Sequence, residues 1–264
     1  MATPDFKIVV FDLDETLGCF VELFIFISAI EAELNKNLSS TEFYNLLDVF
    51  PVFVRPKIFT ILKYLKEKKE KNNKIQVMIY TNNQGPRSWT IQIKDYFENK
   101  LNYKLFDKVI CAFKVKGKQI EMCRTTHNKT ITDFLRCTQM PKDTKICFLD
   151  DQYHEEMKSE NVYYINVKPY YYNMEFKEMA ERYYDNIKLT TKSKGEFVSA
   201  IVNHMNSTNF KPIKKDEMEQ KIDVIVGKKI ISHLNNFFRL NVNDRTRKNS
   251  ENNKRKTRKN QLNT

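Results

Sequence analysis

Closely spaced cysteine pairs are missing from this chain. Its five cysteines, Cys19, Cys111, Cys123, Cys137 and Cys147, form no Cys-x-x-Cys motif, which excludes the usual zinc spacings and argues against a disulfide frame. Two of them fall in strand-like apolar runs, so they read as small apolar residues in a reducing compartment, cytoplasmic or nuclear. Long apolar runs are missing too. Phe20 to Ile30 carries Glu22, falls short of the ~20 residues a membrane span needs, and follows two aspartates, unlike a signal peptide. No membrane segment is expected. Glycine is scarce, at five in 264 residues, beside abundant Lys and Asn, a usage that fits an AT-rich genome. Acid is nearly absent from residues 245–264, where eight Lys or Arg stand against Glu251 alone and Leu262 is the only apolar residue.

What is present begins at the other end. Ile8-Val9-Val10-Phe11 is an apolar, β-branched run that reads as a strand buried on both faces of a parallel sheet. It ends in Asp12-Leu13-Asp14-Glu15-Thr16, two carboxylates two positions apart at the carboxyl edge, where open α/β folds place ligands. A carboxylate there needs a partner or a reaction to justify it. An acidic turn with Thr16 as a helix N-cap is the plainer alternative. Two further strand-like runs end in polar clusters. Ile75 to Tyr80 leads into Thr81-Asn82-Asn83-Gln84-Gly85, and Lys145 to Leu149 into Asp150-Asp151. Between them, Thr126-His127-Asn128-Lys129 precedes a helix-like start at Thr130.

Taken in order, acid pair, hydroxyl, lysine and acid pair resemble the four motifs of the haloacid dehalogenase superfamily of phosphotransferases. Asp12-Leu13-Asp14-Glu15-Thr16-Leu17 resembles the signature of its carboxy-terminal-domain phosphatase, or NLI-interacting-factor-like, branch. Val54-Arg55-Pro56, followed by the apolar positions Ile58, Phe59, Ile61, Leu62 and Leu65, looks like the arginine-proline helix start of that branch. Thr81-Asn82-Asn83-Gln84 is closer to the pattern of polynucleotide 3′-phosphatases and histidinol phosphatases. Asp150-Asp151 stands where small members of the branch have aspartate-asparagine. The resemblance covers roughly Lys7 to Tyr172.

It implies a Rossmann-like α/β fold, a parallel sheet flanked by helices, and a Mg²⁺-dependent phosphomonoesterase. Asp12 is the implied nucleophile and Asp14 the acid and base. Thr81, with Asn82 and the following amides, and Lys129 would bind the phosphoryl oxygens. Asp12, Asp14, Asp150 and Asp151 would supply oxygen ligands for Mg²⁺. The implied substrate is a phosphoprotein or another phosphomonoester. Each residue has a structural alternative: a turn at Thr81, a solvated charge at Lys129 like Lys114, Lys116 and Lys118, a cap at Asp150. His127 and His154 flank these motifs and are expected to be structural.

The alternation of strands and helices also argues for a parallel sheet with helices on both sides. Residues 1–185 are expected to form the phosphatase-like domain. Within it, 19–50 would be two inserted helices, Cys19 to Asn35 and Thr41 to Val49, acting as a small cap or as extra packing. Asp107 to Glu121 reads as strand, turn and strand about Lys116-Gly117, and Val162 to Val167 as the last core strand. Tyr170-Tyr171-Tyr172 next to that strand is read as packing before base stacking. Residues 186–244 have amphipathic spacing and form a C-terminal helical extension. Residues 245–264 read as a disordered basic tail that supplies +7 of the formal +12 charge. That tail suits nucleic acid, an import receptor or solubility. The composition as a whole resembles phosphatase-like proteins of large DNA viruses. A polynucleotide 3′-phosphatase, and a nucleic-acid-associated protein whose catalysis is vestigial, are the alternatives to a protein phosphatase.

Overall fold

The strand expected at the amino end forms β1 (Lys7–Phe11) and lies at the centre of the sheet. The computed structural model describes residues 6–172, 174–187, 192–208, 210, 213 and 215–239. After β1 come α1 (Phe20–Leu34), α2 (Ser40–Val49), α3 (Ile58–Lys71), β2 (Ile75–Tyr80), α4 (Arg87–Leu101) and β3 (Phe106–Ile110). A hairpin of β4 (Lys114–Val115) and β5 (Lys118–Gln119) follows, then α5 (Ile131–Thr138), β6 (Lys145–Asp150) and β7 (Val162–Asn166). The last described elements are α6 (Phe176–Ile187), α7 (Lys194–Asn206) and α8 (Glu217–Arg239). The five main strands are all parallel, in the order β3-β2-β1-β6-β7. This is an α/β, Rossmann-like architecture.

Period-two alternation divides the core into two layers. Val9, Phe11, Val77, Ile79, Cys147 and Leu149 face a large cluster that includes apolar residues of α1 to α4 and α6 to α8. Ile8, Val10, Met78, Tyr80, Ile146 and Phe148 face a smaller one, covered by Phe134 and Cys137 of α5 and by Met157. Since both faces are covered, the strands carry continuous apolar runs.

α1 and α2 match the expected inserted helices. Ser39 closes a capping box with Glu42 at the start of α2, which satisfies amides that the helix leaves free. Their apolar residues join the large cluster, and of the two helices only Val21 lines the cleft described below. α3 starts two residues after Pro56, because Lys57 takes a left-handed conformation with φ 69°. The stretch from Asp107 to Glu121 differs from the reading of one strand-turn-strand unit. Asp107 belongs to β3 in the main sheet, and the hairpin is the separate pair β4–β5, turning at Lys116 and Gly117 with φ of 47° and 79°. Two positive φ values are what a two-residue hairpin turn requires.

The cysteine reading needs a correction. Cys123 and Cys137 are joined in a disulfide, with their Cα atoms 5.0 Å apart. The segment after the hairpin runs back along α5, which brings a loop cysteine to the last turn of the helix, a proximity that sequence spacing does not reveal. Cys19, Cys111 and Cys147 are free and buried. No described helix is long and apolar enough to cross a membrane. The C-terminal helices pack on the core: Phe197, Ile201 and Met205 of α7, and Ile230, Leu234 and Phe237 of α8, are buried. Residues 245–264, the expected disordered tail, lie outside the described residues.

Candidate active site

Strand register delivers the acids to one place. Phe11 is in register with Ile79 of β2 and Leu149 of β6, so Asp12, Thr81 and Asp150 emerge together at the carboxyl edge. The Asp12 amide donates to the Leu149 carbonyl at 2.9 Å, which carries the pairing into the site. Lys129 arrives from the segment that opens α5, with Thr130 as N-cap. Its ammonium is 2% exposed and donates both to Asp12 Oδ1 and, at 2.6 Å, to Asp150 Oδ2. The rings of Tyr80 and Phe148 lie 5.9 Å from it. The buried ammonium therefore lies beside two aromatic rings and against two carboxylates.

Asp14 is held differently. Its Oδ2 accepts from Asn83 Nδ2 at 2.6 Å, and its Oδ1 is buried with no hydrogen-bond partner. Asn83 is fixed in turn: its amide donates to Thr81 Oγ1 at 3.0 Å and its Oδ1 accepts from the Gly85 amide at 2.8 Å. The Thr81 amide donates to the Ile110 carbonyl. Of the two Thr81 donors, the hydroxyl and not the N–H is therefore available to a ligand. Asp151 is reached by Thr16, whose Oγ1 donates to Asp151 Oδ1 and accepts from the Asp151 amide, both at 3.1 Å. Thr16 thus ties the two acid pairs together and caps no helix.

Asp12, Asp14, Glu15, Thr81, Asn82, Lys129, Asp150 and His154 line one open cleft of about 280 Å³. Single carboxylate oxygens of Asp12, Asp150 and Asp151 lie within 4.8 Å of one another, a hard-oxygen set whose size and charge fit a small divalent cation.

Charge is distributed unevenly. Burial pushes the Asp12 carboxyl well above its ordinary value, Lys129 pulls it back and Asp150 adds to the rise. Burial also pushes Asp150 upward, but Lys129 and His154 outweigh it and hold this carboxyl below its ordinary value. Burial disfavours charge on Lys129, yet its two carboxylates raise it above the ordinary lysine range. Asp14 is raised by burial, against the pull of the Asn83 hydrogen bond. Glu15 is pushed up to about 7 by burial and by the neighbouring Asp14 and Asp151.

Three contributors escaped the sequence reading. His154 Nε2 lies 3.5 Å from Asp150 Oδ2, so this histidine belongs to the acid's surroundings. Asn83, not Asn82, is the amide that holds the second acid. Arg124, 1% exposed, donates to the carbonyls of Thr81 and Cys111 and to those of His127 and Asn128. It joins the Thr81 turn to the segment carrying Lys129. Because its partners are all main-chain oxygens, no residue-type signal announced it. His127 itself packs edge-on against Phe113. In comparisons with known proteins the sequence matches no family model, and no curated protein matches it significantly.

Proposed function

We propose that the chain is a Mg²⁺-dependent phosphomonoesterase of the haloacid dehalogenase type, working through an aspartyl-phosphate on Asp12. The observation that carries this reading is the Lys129 ammonium between Asp12 and Asp150, beside an acid, Asp14, that has no cation of its own. Lys129 offsets the repulsion between a carboxylate nucleophile and a phosphate dianion. Asp12 attacks phosphorus, the bond to the leaving oxygen breaks, and Asp14 gives that oxygen its proton. Asp14 then takes a proton from the water that attacks the aspartyl-phosphate, which frees Asp12 and inorganic phosphate. Thr81 donates its hydroxyl to a phosphoryl oxygen throughout. Mg²⁺, held by Asp12, the Asp14 carbonyl, Asp150 and Asp151, would screen phosphoryl charge and keep the reacting atoms in line.

The test is a substrate screen with Mg²⁺, using small phosphomonoesters, phosphopeptides and 3′-phosphorylated oligonucleotides. Phosphate release from any of these that vanishes in Asp12→Asn supports the reading, and the preferred arm names the substrate class. Release that persists in a clean Asp12→Asn preparation removes the mechanism.

A further inference from the structure

Arg55 is 1% exposed, and its guanidinium is directed at main-chain oxygens. Nε donates to the Thr16 carbonyl at 2.5 Å, and Nη2 donates to the Glu15 carbonyl and, at 2.9 Å, to that of Lys168. Glu15 and Thr16 directly follow Asp14. Their loop turns back on itself through the Glu15 amide on the Gly18 carbonyl at 2.7 Å, with Glu15 at φ 53°. Gly18 completes the turn because a Cβ there would lie 2.4 Å from the Phe53 carbonyl. Arg55 is thus the point where the acid loop, the chain after β7 and the start of α3 meet.

A buried guanidinium requires a counter-charge. Burial pulls Arg55 down to about 10, and of the acids that push it back Asp223 acts most strongly, ahead of Asp151. Asp223 lies on α8 and is 1% exposed. Its Oδ2 accepts from Lys215 at 2.5 Å, while its Oδ1 and Arg55 Nη1 are both buried without a hydrogen-bond partner. Both cations lie over the Tyr170 ring, which is 5.5 Å from the Arg55 guanidinium and 4.8 Å from the Lys215 ammonium. Gly227, one turn beyond Asp223 on the same helix face, allows the approach. A Cβ there would lie 2.5 Å from the Pro56 carbonyl.

We propose that Asp223 is a positioning residue for the acid loop: it balances Arg55 from α8, so that Arg55 stays on Glu15 and Thr16 and keeps Thr16 on Asp151 and Asp14 on Asn83. The C-terminal extension is then part of the site's construction. The catalytic consequence rests on the phosphatase reading, but the holding of the loop does not.

Hydrogen exchange on the full chain reads the loop directly. In Asp223→Asn, the amides of Glu15, Leu17 and Asp151 are expected to exchange about tenfold faster or more, while α8 keeps its protection. With a small phosphomonoester, kcat is expected to fall about tenfold with KM within about twofold. Arg55→Lys, which leaves α8 untouched, is expected to open the same amides, and the double variant to be no worse than Arg55→Lys alone. Unchanged loop exchange in both variants, or strictly additive losses, overturns the proposal. If the wild-type chain hydrolyses no phosphomonoester, the phosphatase reading fails and the exchange rates alone decide the positioning role.

Discussion

Asp12 and Asp150 share the ammonium of Lys129, whereas Asp14 and Asp151, a few ångströms along the same edge, are held only by the neutral groups of Asn83 and Thr16. In the first pair Lys129 holds Asp150 below its ordinary value and opposes the rise that burial imposes on Asp12, because a buried cation stabilises its anions more than water would. The second set, with Glu15 beside it, is raised by burial and by mutual repulsion, and its contacts are with neutral groups. On the proposed phosphatase reading, one strand end carries the attacking carboxylate and, two residues later, the one that holds and releases a proton. The difference lies in which neighbour each side chain meets, since both are aspartates.

Removing the cation should erase that contrast with the largest effect. Lys129→Met leaves two buried carboxylates facing each other and is expected to cost about 3–5 kcal/mol of stability and all turnover. Denaturant unfolding and phosphate release check both. A variant as stable as wild type would mean that the pairing does not hold this edge together.

Next in size, Asp14→Asn is expected to lower kcat by about 10²–10⁴ with an alkyl phosphate, whose leaving group needs a proton, while the fold and phosphate-analogue binding survive. The loss should be smaller with p-nitrophenyl phosphate, whose leaving group departs as an anion. Equal losses on both substrates would show that Asp14 is not the acid.

Metal dependence separates Asp150 from Asp151. Each change to Ala is expected to raise the Mg²⁺ concentration needed for half-maximal rate, Asp150 by the larger factor because it also anchors Lys129. Ca²⁺, which favours looser and higher coordination, should inhibit. Activity indifferent to a strong chelator would take these acids out of any metal role.

The smallest effect is in pH. Glu15 rises from an ordinary 4.5 to about 7 in the folded chain. A raised acid contributes stability that is fully present below 4.5 and is lost as pH climbs through about 7. Glu15→Gln should therefore match wild type in melting temperature at low pH and exceed it modestly above neutrality. Glu22, fully buried on α1 and pushed up to about 8 by burial with a further push from Glu175, follows the same rule over a wider window. A flat difference between wild type and variant across this range would show that neither carboxyl is as enclosed as it looks.

Much of this layout was legible because parallel strands buried on both faces leave uninterrupted apolar runs. Ile8 to Phe11, Ile75 to Tyr80 and Lys145 to Leu149 could therefore be placed, and with them Asp12, Thr81 and Asp150 at a common edge. Lys129 could be picked out from the other lysines because it opens the helix before the Asp150 strand, the position that the resemblance to haloacid dehalogenases implies. What stayed hidden depends on contacts distant in sequence. Arg124 and Arg55 act on main-chain carbonyls, which carry no residue-specific mark, and Asp223 lies 168 positions from the arginine it balances. Asn83 and Asn82 have identical side chains, and only the turn after β2 decides which of them meets Asp14. The disulfide was misread because Cys123 and Cys137 come together through the course of a loop.

The fork of Lys129 between two aspartates also constrains how such a sequence can drift. Losing Lys129 alone leaves two buried carboxylates with no cation between them, while replacing Asp12, Lys129 and Asp150 together by apolar residues of similar volume need not destabilise the fold. Inheritance should therefore treat the trio as one unit. Descendants that give up the site are expected to lose the three together, and a lineage that keeps both aspartates without the lysine is expected to be short-lived or to have found a substitute cation.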